Sequence, residues 1–212
     1  IRMLQVLKDW GDKQMDALII AGDISERVYY DGRLSEIPEI RETFTLNLPN
    51  DIEIFFTLGN HDSSGGSHAK LFYDGLGERF YRKEFDKELA RETGNRHSLL
   101  NGFHFIAIEA DYSQEIVSKE SMGFLKSTLD KIVSCPSYDN DYIFVLSHTS
   151  PPGTVVDSSP IDTLTPLLKN YPQVVLLTGH NHSSIYNERN IMQTDFTTLS
   201  LGGVSYTRFP GT

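Results

Sequence analysis

Cysteine is nearly absent from this chain: Cys135 stands alone among 212 residues, so no internal disulfide can form, and a reducing, cytoplasmic setting is the expectation. Basic residues are also scarce. Nineteen Lys and Arg stand against 29 Asp and Glu, a formal net charge of −10 with a pI near 5.1. That balance disfavours extended binding to nucleic acid, which needs many cations along the phosphate backbone. It leaves room for an anionic substrate held through metal ions. No apolar stretch approaches the roughly 18 to 20 residues needed to cross a bilayer, and no signal peptide opens the chain, so no membrane partner is expected. Internal repeats and low-complexity tracts are missing too. The 39% hydrophobic and 23% charged composition suits a single domain over residues 1–212 with a substantial core. Nothing in it speaks to the oligomeric state.

Apolar residues recur at helical spacing over residues 2–14, directly after Ile1, and a short strand follows at 17–21. A domain that starts on a helix feeding a buried strand is expected to have an element before it. After a loop at Asp31-Gly32-Arg33, a helix is predicted near 36–47, with Ser35 as its cap and Pro38 in its first turn. Residues 63–102 are rich in Ser, Gly and charge and read as a long connection with one helix near 82–92. A strand at 103–109 follows, then a helix capped by Ser118 and running to about 133. Its Met122, Leu125, Leu129 and Ile132 form one apolar stripe. A short helix near 161–170, interrupted by Pro166, precedes strands near 194–200 and 203–208.

Four apolar runs end on residues that bind metal or phosphate. Ala17 to Ala21 meets Gly22-Asp23, Ile52 to Leu58 meets Gly59-Asn60-His61-Asp62, Tyr142 to Leu146 meets Ser147-His148, and Val174 to Thr178 meets Gly179-His180-Asn181-His182. Open α/β sheets present ligands and catalytic groups at the carboxyl ends of their strands, so four such endings side by side make one polar site. A carboxylate, an amide oxygen and several imidazoles suit Mn, Fe or Zn better than Ca, which prefers oxygen throughout. His180 and His182, two residues apart, face one cavity if that segment is extended. Asp62, directly after His61, is placed to hydrogen-bond that ring and favour its protonated form, which suits His61 for proton transfer or phosphate contact rather than ligation.

These residues resemble the calcineurin-like metallophosphoesterase family, whose pattern is Asp-x-His, Gly-Asp, Gly-Asn-His-Asp or Gly-Asn-His-Glu, a lone His after a strand, and Gly-His-x-His. The last four stand here in order, over residues 1 to about 206. The resemblance implies an α/β fold, a four-layer αββα sandwich of two mixed sheets with the metal site at the strand ends. It implies that Asp23 bridges two divalent or trivalent metal ions (Mn, Fe or Zn), that Asn60, His148 and His180 hold one, and that His182 helps hold the other. His61 then contacts the phosphate and assists the leaving group, with Asp62 behind it, while metal-activated water attacks phosphorus. A small phosphorylated substrate, monoester or diester, is expected, because Gly-Asn-His-Asp replaces the Gly-Asn-His-Glu typical of protein phosphatases in this family. A purple acid phosphatase is disfavoured, since Tyr29 and Tyr30 lie too far after Asp23.

No Asp-x-His occurs in the 212 residues. The resemblance puts it on a first strand before the helix that begins near Ile1, so the chain is expected to be truncated there. Arg208-Phe209-Pro210-Gly211-Thr212 reads as a loop leading onward, so an extension after Thr212 is expected as well. The alternative is a degenerate site in a non-catalytic binding scaffold. Each motif alone has a plainer reading: Asp23, Asn60 and Asp62 as turn formers, Gly179 to His182 as an exposed loop, His148 as a strand-end histidine. Four in order make those readings poor ones. For His68, His97, His104 and Tyr112 the plain reading, solvated or structural, is preferred.

Overall fold

A computed structural model describes residues 15–26, 28, 34, 36–62, 66–111, 116–139, 141–154, 162–184 and 186–203. The strands are β1 (Ala17–Ala21), β2 (Glu53–Thr57), β3 (Arg96–Leu100), β4 (Phe103–Ala107), β5 (Ala110–Asp111), β6 (Ile116–Val117), β7 (Ile143–Ser147), β8 (Val174–Thr178), β9 (Ile191–Gln193) and β10 (Thr197–Ser200). The helices are α1 (Glu36–Asn47), α2 (Gly66–Leu76), α3 (Lys87–Thr93), α4 (Lys119–Val133) and α5 (Thr165–Leu168). Among the described residues, β1 and β2 pair in parallel as one sheet, and a six-stranded mixed sheet runs in the order β3-β4-β7-β8-β10-β9.

The apolar runs are unbroken because both faces of each strand are covered, as expected for strands with parallel neighbours inside an α/β fold. In β1 and β2, Leu18, Ile20, Ile54 and Phe56 face a core built with α1 and α2, where Ile37, Phe44, Phe72 and Leu76 are buried. Their alternate residues Ala17, Ile19 and Phe55 meet Phe105, Ala107, Phe144, Leu146, Val175 and Leu177 from the large sheet. The opposite face of that sheet, with Ile106, Val145 and Leu176, packs on Leu125, Leu129 and Ile132 of α4 and Leu168 of α5. Three cores in succession separate four layers, helix, sheet, sheet and helix, so the expected αββα sandwich is found. Its smaller sheet, as far as it is described, is parallel rather than mixed.

Arg96 ties β3 to β2. Its guanidinium, 1% exposed, donates to the carbonyls of Phe56 at 3.0 Å and Phe80 at 2.7 Å, pairs with the equally buried Glu84, and lies over the Phe55 and Phe56 rings. The planar fork suits several acceptors at once, which a lysine could not serve.

Several expectations need correction. The segment 63–102 is no long connection: it holds α2, α3 and β3. Its polar composition pointed to a loop, but Ala69, Phe72, Tyr73 and Leu76 bury one side of α2, and tertiary packing overrides weak local propensity. Gly75 is required there because a Cβ would lie 2.5 Å from Ile37 Cγ2 on α1. The helix expected from 82 starts at Lys87, where Asp86 accepts from the Leu89 amide at 2.9 Å. Pro166 does not interrupt a helix; it occupies the first turn of α5, where its missing N–H costs nothing. The strand near 194–200 is β10 preceded by a turn and β9. By contrast, α1, the Ser118 cap of α4 and the four ligand-bearing strands lie where the sequence put them. Met122 is only partly buried. The helix at 2–14, the loop at 31–33, Ser35, the His68 side chain, Tyr112 and most of 203–208 lie outside the described residues.

Candidate metal centre

β1, β2, β7 and β8 run parallel within their sheets and end at the same edge, and the turns after them converge. Asp23 Oδ2 lies 3.3 Å from His148 Nε2. Asn60 Oδ1 lies 3.0 Å from His148 Nε2 and 3.0 Å from His180 Nδ1, and the two ring nitrogens are 3.2 Å apart. Asp23, His148 and His180 each offer a ligand atom within 4.8 Å of the others.

The tautomer of His148 follows from its other nitrogen. Nδ1 is 2.7 Å from the carbonyl oxygen of Ala21, which can only accept, so Nδ1 carries a hydrogen and Nε2 is the atom left to offer a metal. Asp23 Oδ2, Asn60 Oδ1, His148 Nε2 and His180 Nδ1 thus meet from four strand ends, each an atom able to offer a lone pair to a shared cation. Ligands about 2.1 Å from one ion sit roughly 3.0–3.4 Å apart, so the separations suit one metal ion.

Close backbone approach makes this possible. A Cβ on Gly59 would stand 2.2 Å from Asp23 Oδ1 and one on Gly22, at φ +84°, 2.4 Å from His148 Nδ1, so both turns need a residue without a side chain. Asp23, His180 and His182 have φ of 53°, 68° and 49°, values that cost free energy outside glycine and gather at functional sites. The Asn181 amide donates to the Gly179 carbonyl at 2.8 Å, closing a tight turn around His180. The extended alternation expected for His180 and His182 is thus not formed, yet both His182 and His61 are near enough to affect the charge of the His180 ring.

Titration behaviour fits ligation. Burial, reinforced by the neighbouring imidazoles, His148 foremost, depresses His180 to about 4 against the pull of Asp23, so its ring is uncharged at neutral pH, as a metal-binding imidazole must be. Burial raises the Asp23 pKa, but the hydrogen bond and charge of His148 and the His61 amide, 3.1 Å from Oδ1, outweigh it and keep Asp23 ionised. His148 is raised by Asp23 despite its burial, as expected where a proton sits among atoms arranged for a cation.

Asp62 has a different role from the one expected. Its carboxylate, 0% exposed, accepts from the amides of Ile24 at 3.0 Å, Ser25 at 2.7 Å and Gly59 at 2.9 Å and from the Ser25 hydroxyl at 2.7 Å. The Nδ1 of His61 faces the Glu26 carbonyl at 2.6 Å instead. Four donors from two turns fill the carboxylate, and the neighbouring ring is held by the Glu26 carbonyl. Asp62 therefore fastens the Asp23 turn to the Asn60 turn.

A family model for calcineurin-like phosphoesterases matches residues 1–184. The chain belongs to the calcineurin-like phosphoesterase family. No curated protein matches it. Membership of these phosphoesterases places the chain among metal-dependent hydrolases of phosphoesters, and among the described residues no helix is long and apolar enough to cross a membrane.

Three groups around this phosphoesterase site escaped sequence reasoning. The Ala21 carbonyl that orients His148 is backbone and has no sequence signal, and Ser25 is one hydroxyl among many. Glu109 was within reach: it is a charged residue closing an apolar strand, as Asp23 is. It is 4% exposed, accepts from the Leu58 amide at 2.9 Å, and has its Oε2 buried with no partner. His97 and His104 face each other at 3.0 Å on β3 and β4, away from the site.

Proposed function

We propose that this protein hydrolyses a small phosphomonoester or phosphodiester with two metal ions, Mn, Fe or Zn. Asp23, Asn60, His148 and His180 would hold one ion, and Asp23 and His182 would take part in holding the second. The observation that carries this reading is the convergence of four potential ligand atoms, one from each strand end, at ligand separations. Bound there, the ions supply Lewis-acid polarisation of the phosphoryl oxygens and water of lowered pKa.

The chain's own groups do the rest. Asp62 and Ser25 keep the Asp23 and Asn60 turns at fixed separation, so no reorganisation is needed as charge develops on the phosphoryl group. His61 holds its Nδ1 hydrogen on the Glu26 carbonyl, which orients the ring and presents Nε2 as the atom that carries a proton towards the leaving oxygen. The net charge of −10 and Gly59-Asn60-His61-Asp62 in place of the Gly-Asn-His-Glu of protein phosphatases favour a compact substrate over a nucleic acid or a protein surface.

The test is hydrolysis of bis-p-nitrophenyl phosphate and p-nitrophenyl phosphate with added Mn²⁺. Both the metal requirement and a loss of about 10²-fold or more in kcat for His61→Ala are expected. Absence of turnover with every metal tried, or an unaltered His61→Ala variant, would favour the binding-scaffold alternative. The diester to monoester ratio assigns the substrate class.

A further inference from the structure

We propose that Glu109 is a positioning residue for the metal centre: as an uncharged carboxylic acid it braces the turn that leads into Asn60 and holds that ligand in place. The proposal rests on the metal-centre reading above. Glu109 lies two residues beyond Ala107 of β4, and Ala107 pairs with Leu146 of β7, two residues before His148. The ladder continues through Ile108 N donating to Leu146 O at 3.0 Å. Ala107 and Leu146 both face the core between the sheets, so the two-residue period puts Glu109 and His148 at the ends of neighbouring strands on that same face.

From there Glu109 reaches across to the other sheet. Its Oε1 accepts from the Leu58 amide at 2.9 Å and lies 3.2 Å from Thr57 Oγ1, and its own amide donates to Asn95 Oδ1 at 3.2 Å. Leu58 is two residues before Asn60, so a single buried acceptor fixes the backbone from which that ligand projects. Side chains that orient metal ligands from behind commonly contribute about 10 to 100-fold to metal affinity.

Geometry also argues for the uncharged form. Thr57 has one hydroxyl hydrogen, divided between the Ile108 carbonyl at 2.9 Å and Oε1 at 3.2 Å, so it offers a carboxylate only a weak donor. Oε2 is buried and unpartnered, a severe penalty for a charge and a smaller one for an acid. The charged groups that act on Glu109 are Asp62, which opposes ionisation, and Arg96, which is committed to Glu84. Burial first, then Asp62, lift its pKa to about 8 against the Leu58 and Thr57 contacts and Arg96.

Mn²⁺ titration by calorimetry on wild type, Glu109→Gln and Glu109→Ala, with circular dichroism on the metal-free proteins, tests this. Glutamine keeps the acceptor without a charge and should bind Mn²⁺ within about threefold of wild type, whereas alanine should bind about tenfold or more weakly while remaining folded. If alanine disturbs folding, Glu109→Met fills the space without an acceptor and should show the same weakening. Equal loss in Gln and Ala would mean that the charge matters and would overturn the proposal, as would unchanged affinity in both Ala and Met. A wild-type chain that binds no Mn²⁺ overturns the metal-centre reading and the proposal with it, so the two failures are distinguishable.

Discussion

His148, Asp62 and Glu109 are all buried, and each keeps a polar interior group by a different means. His148 points one nitrogen at a carbonyl and the other at a cation site, Asp62 is saturated by four donors, and Glu109 remains protonated. The last has a consequence for stability. The unfolded carboxyl ionises near 4.5 and the folded one near 8, so the folded chain binds more protons between those values and loses stability as pH rises through them. The contribution is fully present below 4.5 and gone above 8. Urea denaturation of the metal-free protein should therefore show Glu109→Gln gaining relative to wild type between pH 5 and 8, by on the order of a few kcal/mol. An unchanged difference across that range would show Glu109 already ionised. The residues that converge at the strand ends, Asp23, Asn60, His148 and His180, were legible in the sequence, since each follows an apolar run and a residue small enough to turn on. The partner of His61 was not, because adjacency in sequence says nothing about which of several fixed donors a carboxylate will meet.

Strands and helices set where those residues end up. β1, β2, β7 and β8 are readable because burial on both faces demands a continuous apolar run, and α4 is readable because one face is apolar and Ser118 accepts from the Ser121 amide at 3.0 Å. The helix α2 and strand β3 were hidden, their polar and glycine residues meaningful only once α1 and β2 are beside them. Arg96 and Glu84 show how much such elements depend on one another: Arg96 spans β3 and β2, and both side chains are 1% exposed. Glu84→Ala would leave a buried guanidinium without its counter-charge and is expected to cost about 3–5 kcal/mol in urea unfolding. A cost below about 1 kcal/mol would mean that the carbonyls of Ile54, Phe56 and Phe80 suffice.

Over the whole molecule the two sheets meet through an apolar interior and open into the polar centre at one edge, so metal binding and folding are linked. A cation that binds only the folded chain stabilises it by about 2.7 kcal/mol at one hundred times its dissociation constant, which for a domain of this size is roughly 5–10 °C in Tm. Stripping the protein with a chelator should lower Tm by that order, and adding back Mn²⁺ should restore it. His180→Ala should remove most of the metal-dependent increment. A Tm indifferent to chelator and to Mn²⁺ would argue against a resident ion.

Order and spacing along the chain were enough to place the family and the α/β class and to nominate a candidate ligand set, because those depend on residue type at the ends of buried strands. Folding in three dimensions assigned the supporting roles: the tautomer of His148, the clamp at Asp62, the niche of Glu109 and the layers around Arg96. Each of these depends on which backbone or side-chain group stands within about 3 Å, and the pairs involved are separated by 37 residues for Ser25 and Asp62, 51 for Leu58 and Glu109, and 127 for Ala21 and His148. Hydrogen bonds act over that short distance, and only packing of the sheets brings such partners within it.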